Sequence, residues 1–438
     1  MANLQEPQHV NGTLDLRKID DIPEPYRSIF SDYPHFNVIQ SAVFNDIFYS
    51  DEPIAVSAPT GSGKTTIFEL AIVRLLLNWE AASGKDYKMV YISPTKALCE
   101  ERLIDWHKKF SEVGVSCISV TGDNPNFDVS VLMHNKLIIT TPEKWDSLTR
   151  RWRDDERIVR SIKLFMIDEI HLLNDESRGP TLEAIVTRMK TIRSSCQVGM
   201  QKSCSDNNIR LVGVSATISN ITDIAEWFGS TGQPAKYFKF EDNMRPVKLQ
   251  KIVQGYPYNP STSSPFKFDI MLSYKLHNVL LQHSSGKPSL IFCSTRKSVE
   301  MTCKQLIQNL TIDLTQERKD ILVRTANSLE DSKIKETLIH GVACHHAGML
   351  SQDRRAIEAL FREGNLPVLV TTSTLAMGVN LPAHLVVIKS TKYYANGEYK
   401  DYSASMLFQM IGRAGRPQFD TSAVAVIMTT ASDKVRTY

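Results

Sequence analysis

The stretch APTGSGKT at residues 58–65 constrains the fold more than any other part of the sequence. It matches the P-loop pattern except that Ala58 replaces the first glycine, and it lies between the apolar run PIAVS and a helical stretch that begins near Lys64. A strand, a glycine-rich loop and a helix in this order form a phosphate-binding unit of parallel α/β sheets. The motif therefore predicts an α/β domain with a parallel sheet.

Short apolar runs continue along the chain on both sides of an irregular central segment. They include KMVYI, KLIIT, KLFMI and RLVGVS in the first half, and SLIFC, LPVLV, HLVVI and AVAVIM in the second. Such runs, separated by helical stretches, are typical of strands buried on both faces. We expect two tandem α/β domains with parallel sheets flanked by helices, at 35–238 and 269–438, an N-terminal extension at 1–34, and a linker or surface excursion at 239–268.

The composition narrows the class of protein. With 438 residues, 42% of them hydrophobic and 23% charged, the chain is long and apolar enough for more than one globular domain. A net charge of +3 is too small to predict nucleic-acid binding from bulk charge, so any such site must be local. The seven cysteines form no CxxC pair, which argues against a zinc site or a disulfide framework. With neither a signal peptide nor a membrane span in the sequence, we expect a cytosolic or nuclear protein.

A second motif, LFMIDEIH, places two carboxylates directly after an apolar strand. In a P-loop protein, Lys64 reaches the β- and γ-phosphates and the Thr65 hydroxyl contacts magnesium. Asp168 is then expected to hold the magnesium, directly or through water, and Glu169 to orient and deprotonate the attacking water. His171 is ambiguous by itself, but its position in DEIH makes it a candidate catalytic residue.

From about residue 35 to 430 the sequence resembles the DExH-box helicases of superfamily two, in the Ski-two-like group. The resemblance rests on ordered segments: FNVIQSAVF, APTGSGKT, SPTKALCEER, TGD, TTPEKWD, DEIH, SAT, FCSTR, HHAGM, TTSTLAMGVNLPA and QMIGRAGRP. It implies two RecA-like domains that face each other, with ATP and Mg²⁺ in the cleft. It also implies that Arg413 and Arg416, with Gln409 and Gly412, act on the γ-phosphate and neutralise transition-state charge. By themselves, these arginines would also fit a solvent-exposed turn.

The resemblance assigns further residues to the nucleotide and to coupling. Phe36 and Gln40 resemble the adenine-reading Q motif, in which a glutamine amide pairs with the base edge. Ser215, Ala216 and Thr217 resemble the segment that couples hydrolysis to nucleic-acid movement, although a plain strand end is the alternative. The expected nucleotide-binding residues are Phe36, Gln40, Ala58, Pro59, Thr60, Gly61, Ser62, Gly63, Lys64, Thr65, Thr66, Gly378 and Asn380.

The family also implies that segments at the strand ends hold a single-stranded nucleic-acid backbone. Hydroxyls, amides and a few cations suit phosphate and sugar contacts, so we expect binding that is largely independent of sequence. Taken singly, each hydroxyl also fits a cap or turn residue. The expected residues are Pro94, Thr95, Lys96, Arg102, Thr121, Gly122, Thr141, Pro142, Glu143, Lys144, Thr295, Arg296, Thr371 and Thr372.

The segment TKYYANGEYKDYS carries a strong hairpin signal in Asn396-Gly397. In the DNA-unwinding relatives, a hairpin at this location separates the strands of a duplex, and aromatic side chains can stack on the split pair. A merely packed surface hairpin is the alternative. The expected strand-separating residues are Tyr393, Tyr394, Asn396, Gly397 and Tyr399.

Within the group, TTPEKWD, CHHAGM and STLAMGVNLPAH are most similar to the meiotic-crossover branch of DNA helicases (Mer-three type). That branch implies a nuclear, monomeric ATP-dependent helicase that moves 3′ to 5′ on single-stranded DNA and unwinds branched recombination intermediates with recombination proteins as partners. The alternatives are an RNA-remodelling helicase of splicing type and a non-catalytic nucleic-acid-binding scaffold. Relatives continue into a winged helix and a ratchet domain, whereas this sequence ends at Tyr438, so we expect a helicase core.

Overall fold

The computed structural model describes residues 16–31, 34–81, 87–122, 130–154, 156–176, 178–198, 209–230, 232–261, 263–373, 375, 381–395, 397–416 and 419–434. The chain divides into two compact units, Met1–Met244 and Arg245–Tyr438. No helix in these ranges is both long enough and apolar enough to cross a membrane.

The first unit contains a parallel sheet whose strands, as far as they are described, have the order β3-β4-β2-β5-β6-β1-β7. β1, β2, β4, β5 and β6 are buried along their whole length, because their Val, Ile and Leu side chains are covered on both faces. The strands are β1 Ile54–Ser57, β2 Lys88–Ile92, β3 Cys117–Val120, β4 Leu137–Thr140, β5 Ile162–Ile167, β6 Arg210–Ser215 and β7 Lys236–Lys239.

Helices cover both faces of this sheet. α1, α2 and α3 contribute to the core on one face, and α5, α7 and α8 to the core on the other. Short 3-10 helices lie at Ile19–Asp21, Glu24–Phe30, Ile170–Asn174 and Asp242–Met244. The α-helices are α1 Val38–Phe48, α2 Thr65–Ala81, α3 Lys96–Phe110, α4 Ser130–His134, α5 Pro142–Thr149, α6 Arg157–Ser161, α7 Gly179–Val198 and α8 Ile221–Phe228.

The second unit contains another parallel sheet, with the order β10-β11-β9-β12-β15-β8 in the part that is described. A separate two-stranded antiparallel hairpin is formed by β13 and β14. The strands are β8 Lys248–Tyr256, β9 Ser289–Cys293, β10 Val342–His345, β11 Val368–Thr372, β12 Leu385–Ile388, β13 Lys392–Ala395, β14 Glu398–Asp401 and β15 Ser422–Thr430.

Helices and strands of the second unit share one hydrophobic core. Several helices begin at a side-chain cap. The hydroxyl of Thr295 accepts from the backbone N–H of Ser298, and the hydroxyl of Ser403 accepts from the backbone N–H of Met406. The helices are α9 Pro265–His283, α10 Arg296–Asn309, α11 Gln316–Ser328, α12 Ser332–Leu338, α13 Ser351–Arg362, α14 Ala404–Ile411 and α15 Ala431–Lys434. The predicted fold class, α/β with parallel sheets flanked by helices, is confirmed.

The structure differs from the sequence-based expectation in two segments. Where we expected a linker or surface excursion at 239–268, β8 pairs in parallel along its whole length with β15 and forms the edge of the second sheet. Its sequence KLQKIVQGY contains two Lys and two Gln residues and is mostly exposed or half-buried, which fits an edge strand rather than the continuous apolar run of a central one. In the N-terminal extension, Ile22, Tyr26, Ile29 and Phe30 are buried in the core of the first unit.

Candidate functional site

The P-loop connects the end of β1 to the start of α2. Gly61 and Gly63 have φ values of 77° and 73°, in the left-handed region that glycine adopts without a steric penalty. The ammonium group of Lys64 donates to the carbonyl oxygen of Ala58 at 3.2 Å and therefore lies over the loop. Because α2 begins at Thr65, the loop presents backbone N–H groups and the positive end of a helix dipole, which favours a bound phosphate.

Gln40 supports this loop from the side. Its amide donates from Nε2 to the carbonyl oxygen of Gly63 at 3.1 Å, and its Oε1 accepts from the backbone N–H of Asn37 at 2.9 Å. A Cβ at Gly63 would lie 2.4 Å from the same Nε2 atom. Phe36 is buried between the rings of Phe30 and Phe44. In this structure both residues therefore stabilise the protein, and their expected contact with adenine stays a prediction.

Asp168 and Glu169 follow β5 directly. Asp168 accepts two hydrogen bonds, from the hydroxyl of Tyr91 to Oδ2 at 2.5 Å and from the backbone N–H of Glu169 to Oδ1 at 2.9 Å. Burial and the Glu169 carboxylate raise the pKa of Asp168 to about 6, while the Tyr91 hydroxyl and the Lys64 ammonium oppose the rise. The electrostatic effect of Lys64 on Asp168 indicates that the fold brings the two motifs together.

The backbone of Glu169 has a φ of 51°, which is unfavourable for a residue with a side chain. This conformation starts the 3-10 helix Ile170–Asn174, so the chain turns sharply at the end of β5. Strained residues of this kind cluster at functional sites because the surrounding structure holds them in place.

His171 lies between Glu169 and Ser215. Its Nδ1 is 3.3 Å from Oε2 of Glu169 and 3.4 Å from the hydroxyl of Ser215. Burial lowers the pKa of His171, although the neighbouring Glu169 carboxylate opposes this shift. Next to it, the backbone N–H of Ala58 donates to the carbonyl oxygen of Ser215 at 3.1 Å. Short contacts therefore connect the DEIH, SAT and P-loop segments at one edge of the sheet.

The donor set at this edge suits magnesium. The Thr65 hydroxyl and the Asp168 carboxylate offer oxygen atoms, which are the ligands that Mg²⁺ prefers. The positive φ values of Gly61 and Gly63 allow the loop backbone to curl so that its N–H groups can face a phosphate. The residues therefore fit a Mg²⁺–nucleotide complex.

Several residues predicted to bind nucleic acid line a groove of about 520 Å³ in the first unit. The sequence analysis missed Ser147 and Arg178, which complete its lining. Arg178 donates from Nε to Oε1 of Glu143 at 2.8 Å. Burial raises the pKa of Glu143, but the Arg178 guanidinium and a backbone hydrogen bond outweigh it and lower the pKa overall. The groove is lined by Pro94, Thr95, Lys96, Gly122, Thr141, Glu143, Lys144, Ser147 and Arg178.

The polar groups of two residues predicted to contact nucleic acid are bonded within the protein. The guanidinium of Arg102 pairs with Asp105 at 3.0 Å and lies over the ring of Trp106, 5.5 Å from its centroid. The hydroxyl of Thr371 is buried and donates to the carbonyl oxygen of Thr372. The side chain of Thr371 is buried, whereas that of Arg102 is 15% exposed. The nucleic-acid contacts expected of both residues stay predictions.

In the second unit, Arg416 is held by a buried carboxylate that the sequence analysis did not identify. Asp420 accepts from Nε of Arg416 at 2.8 Å, from its Nη2 at 3.2 Å, and from the ammonium of Lys287 at 3.1 Å. The ring of His384 lies 3.3 Å from the same carboxylate. Burial raises the pKa of Asp420, but the bonds from Arg416 and Lys287 outweigh it and lower the pKa to about 2.

The other predicted residues of the last motif lie on α14 and directly after it. Gln409 is on α14 with little of its surface exposed, and Gly412 caps the end of that helix. The backbone carbonyl of Arg413 accepts from the N–H of Ala383 at 2.9 Å.

Arg296 is exposed, and a Cβ at Gly348 would lie 3.1 Å from its Nη1. Gly378 and Asn380 lie outside the described residues.

The predicted hairpin is formed by β13 and β14, in which Ala395 is paired with Glu398. Tyr394 is paired with Tyr399, and their rings form an edge-to-face contact with a centroid distance of 5.2 Å. Half of the surface of Tyr394 is exposed. Tyr393 instead stacks on Tyr402 with a centroid distance of 5.0 Å. Asn396 lies outside the described residues.

Comparison with known families agrees with these segments. Residues 37–224 match the DEAD/DEAH box helicase family, and residues 272–418 match the helicase conserved C-terminal domain. The chain belongs to the DEAD/DEAH-box helicases. The resemblance inferred from the sequence is therefore confirmed.

Individual relatives support the same branch. The chain is 50% identical over 424 residues to "Probable ATP-dependent DNA helicase HFM1" of Mus musculus. The aligned region covers 97% of this chain and 29% of the relative. It is 41% identical over 414 residues to "ATP-dependent DNA helicase MER3" of Saccharomyces cerevisiae. Here the aligned region covers 94% of this chain and 33% of the relative. The chain thus spans about a third of the length of these relatives.

A solved structure has a similar fold. The "Crystal Structure of DUF1998 helicase MrfA bound to DNA" superposes with a TM-score of 0.67 over 94% of this chain and 49% of that chain. The sequence identity is 19%, so this similarity concerns the fold alone. It agrees with the predicted RecA-like architecture.

The Asp420 network predicts an acid-sensitive contribution to the stability of the second unit. Asp420→Asn should lower the free energy of unfolding of this unit by about 3 kcal/mol at pH 7, because Arg416 and Lys287 lose their buried counter-charge. Since the folded-state pKa of Asp420 is about 2 and lies below the usual value of 3.8, the contribution is present above about pH 4 and is lost as the pH falls towards 2. The difference between variant and wild type should therefore shrink below pH 4.

Calorimetry at several pH values checks this prediction. All five tryptophans lie in the first unit, so tryptophan fluorescence identifies the unfolding transition of that unit. The remaining calorimetric transition is then assigned to the second unit. Asp313→Asn, at an exposed position of the second unit, is the control. An unchanged second-unit transition in Asp420→Asn at pH 7 would show that the network does not stabilise the unit.

Proposed function

We propose that this chain is the core of an ATP-dependent DNA helicase that translocates 3′ to 5′ on single-stranded DNA. In this proposal it unwinds duplex or branched recombination intermediates in the nucleus during meiotic crossover formation, with recombination proteins as partners. The observation that carries the proposal is the 50% identity to a probable ATP-dependent DNA helicase over 97% of the chain. The intact P-loop and DEIH segments support catalysis rather than binding alone, since a scaffold needs no hydrolytic residues.

The residues of the first unit have distinct roles in the proposed hydrolysis. The P-loop amides and Lys64 would bind the phosphates, and Thr65 and Asp168 would hold Mg²⁺. Mg²⁺ bound there would neutralise charge on the β- and γ-phosphate oxygens. Glu169 orients the attacking water and accepts its proton. In the second unit, Arg413 and Arg416, with Gln409, serve to stabilise the charge that develops on the transferred phosphoryl group.

The contacts around His171 support a route from hydrolysis to movement. Glu169, the proposed general base, is connected by His171 to Ser215 through distances of 3.3 and 3.4 Å. Ser215 ends β6, and the following residues Ala216 and Thr217 lead into the next loop. We infer that this chain of contacts transmits the state of the nucleotide to the nucleic-acid groove.

The groove of the first unit suits a single-stranded backbone. Lys96, Lys144 and Arg178 supply positive charge, and Thr95 and Thr141 supply hydroxyl groups beside it. Contacts of this kind bind phosphate and sugar and do not distinguish bases. The proposal that the polymer is DNA therefore depends on the relatives and requires a direct test.

ATP turnover in the presence of matched DNA and RNA oligonucleotides provides that test. Single-stranded DNA should stimulate turnover more strongly than RNA, and forked and 3′-tailed DNA duplexes should be unwound. Glu169→Gln should still bind ATP, but its turnover should fall about 100-fold or more, because the general base is lost.

Glu183→Gln, an exposed position on α7, is the matched control and should keep wild-type turnover. Stronger stimulation by RNA would favour the RNA-remodelling alternative. A wild-type protein that binds DNA without turnover would favour the scaffold. Undiminished turnover in Glu169→Gln would contradict the role assigned to that carboxylate.

The hairpin should matter for strand separation and not for hydrolysis. In Tyr394→Ala/Tyr399→Ala, we expect unwinding of a 3′-tailed duplex to fall about tenfold, since stacking of an aromatic ring on a base contributes roughly 1–3 kcal/mol. ATP turnover stimulated by single-stranded DNA should stay within about twofold of wild type. Tyr274→Ala, which alters an exposed tyrosine on α9, is the control. Equal losses of unwinding and turnover would remove the strand-separating role.

A further inference from the structure

The hydroxyl of Tyr91 makes a close contact with the proposed magnesium ligand. Tyr91 lies in β2, next to β5, and its hydroxyl reaches past the end of β5 to donate to Oδ2 of Asp168 at 2.5 Å. Only 2% of the surface of Tyr91 is exposed. None of the motifs identified in the sequence contains this residue. On the basis of the proposed function, we propose that Tyr91 is a positioning residue that sets the orientation of the Asp168 carboxylate for the Mg²⁺–nucleotide complex.

The carboxylate of Asp168 is fixed from two sides. Oδ1 accepts from the backbone N–H of Glu169 at 2.9 Å, while Oδ2 accepts from Tyr91. A carboxylate oxygen can accept more than one bond, so each oxygen keeps a lone pair for a further ligand. Without the Tyr91 hydroxyl, the backbone N–H of Glu169 would be the single donor, and the carboxylate could rotate about its Cβ–Cγ bond. The Tyr91 hydroxyl therefore determines which lone pair faces the nucleotide.

The ring that carries this hydroxyl is held by two helices. It makes edge-to-face contacts with Phe68 of α2 and Trp106 of α3, with centroid distances of 5.3 and 4.9 Å. Trp106 is fixed in turn, because its Nε1 donates to Oε1 of Glu69 at 3.1 Å. Lys109 donates to the same oxygen at 2.9 Å. The hydroxyl therefore has a defined position relative to α2, the helix that begins at the P-loop.

If Tyr91 had only a structural role, its buried hydroxyl would make the same hydrogen bond to Asp168. The test must therefore measure metal binding. Groups that orient a metal ligand typically change metal affinity or activity by about 10- to 100-fold when they are removed. A hydroxyl that serves only packing changes stability and leaves the metal dependence of nucleotide binding unaltered. These two outcomes can be measured separately.

Binding of a fluorescent, non-hydrolysable ATP analogue to Tyr91→Phe protein is the direct measurement. The substitution keeps the ring and removes one oxygen. In EDTA the variant should bind the analogue as wild type does, because the P-loop is intact. In a Mg²⁺ titration, the concentration that gives half of the metal-dependent increase in affinity should rise about tenfold. Saturating Mg²⁺ should restore most of the ATP turnover.

Tyr87→Phe is the matched control, since Tyr87 is a buried tyrosine that directly precedes β2, and its ring packs on Trp79 at 5.3 Å. It should titrate as wild type does. Phe68→Leu keeps the Tyr91 hydroxyl but loosens its ring, and should shift the Mg²⁺ midpoint in the same direction by a smaller factor. Tryptophan fluorescence during urea unfolding reports whether the first unit of each variant is folded.

The outcomes separate this assignment from the proposed function. An unshifted Mg²⁺ midpoint in folded Tyr91→Phe, with wild type showing metal-dependent binding, overturns the assignment alone. Should Tyr91→Phe not fold, an unshifted midpoint in folded Phe68→Leu overturns it. Wild-type protein that fails to bind the analogue with or without Mg²⁺ overturns the proposed function and this assignment with it.

Discussion

The backbone turn at Gly61 and Gly63 is the constraint on which the site of the first unit depends. Both residues have positive φ, and Gly63 lies so close to the Gln40 amide that a Cβ would be 2.4 Å from it. This turn brings the start of α2 to the carboxyl end of β1. Because the sheet is parallel, β5 and β6 end at the same edge and deliver Asp168 and Ser215 there. The chemistry therefore follows from strand direction and one glycine-dependent loop.

Around this edge, buried polar contacts fix the groups that act. Tyr91 holds Asp168, His171 lies between Glu169 and Ser215, and the Lys64 ammonium lies over the loop. In the second unit, a buried polar contact likewise fixes Arg416, because its guanidinium donates to the buried Asp420. A side chain fixed before the substrate arrives loses little conformational freedom on binding, which favours catalysis.

The sequence predicted the fold class and the residues of the P-loop and DEIH segments, because strand, loop and helix signals are local. Most of the residues that line the first-unit groove were among those that the family resemblance implies for nucleic-acid binding, a role that stays a prediction. It did not predict that β8 joins the second sheet, since an edge strand lacks a continuous apolar run. Tyr91 and Arg178 were missed because their partners, Asp168 and Glu143, are 77 and 35 residues away in sequence. The burial of Thr371 and the pairing of Arg102 with Asp105 were not predicted, because both depend on packing that no motif encodes.

The central claim is that the carboxyl edge of the first sheet binds and hydrolyses ATP. The most direct measurement is ATP turnover of Lys64→Ala protein, compared with wild type, with single-stranded DNA present. Wild type should turn over ATP, and the variant should lose at least about 100-fold, because the loop loses the cation that contacts the β- and γ-phosphates. Equal turnover in the two proteins would contradict the claim and place hydrolysis elsewhere.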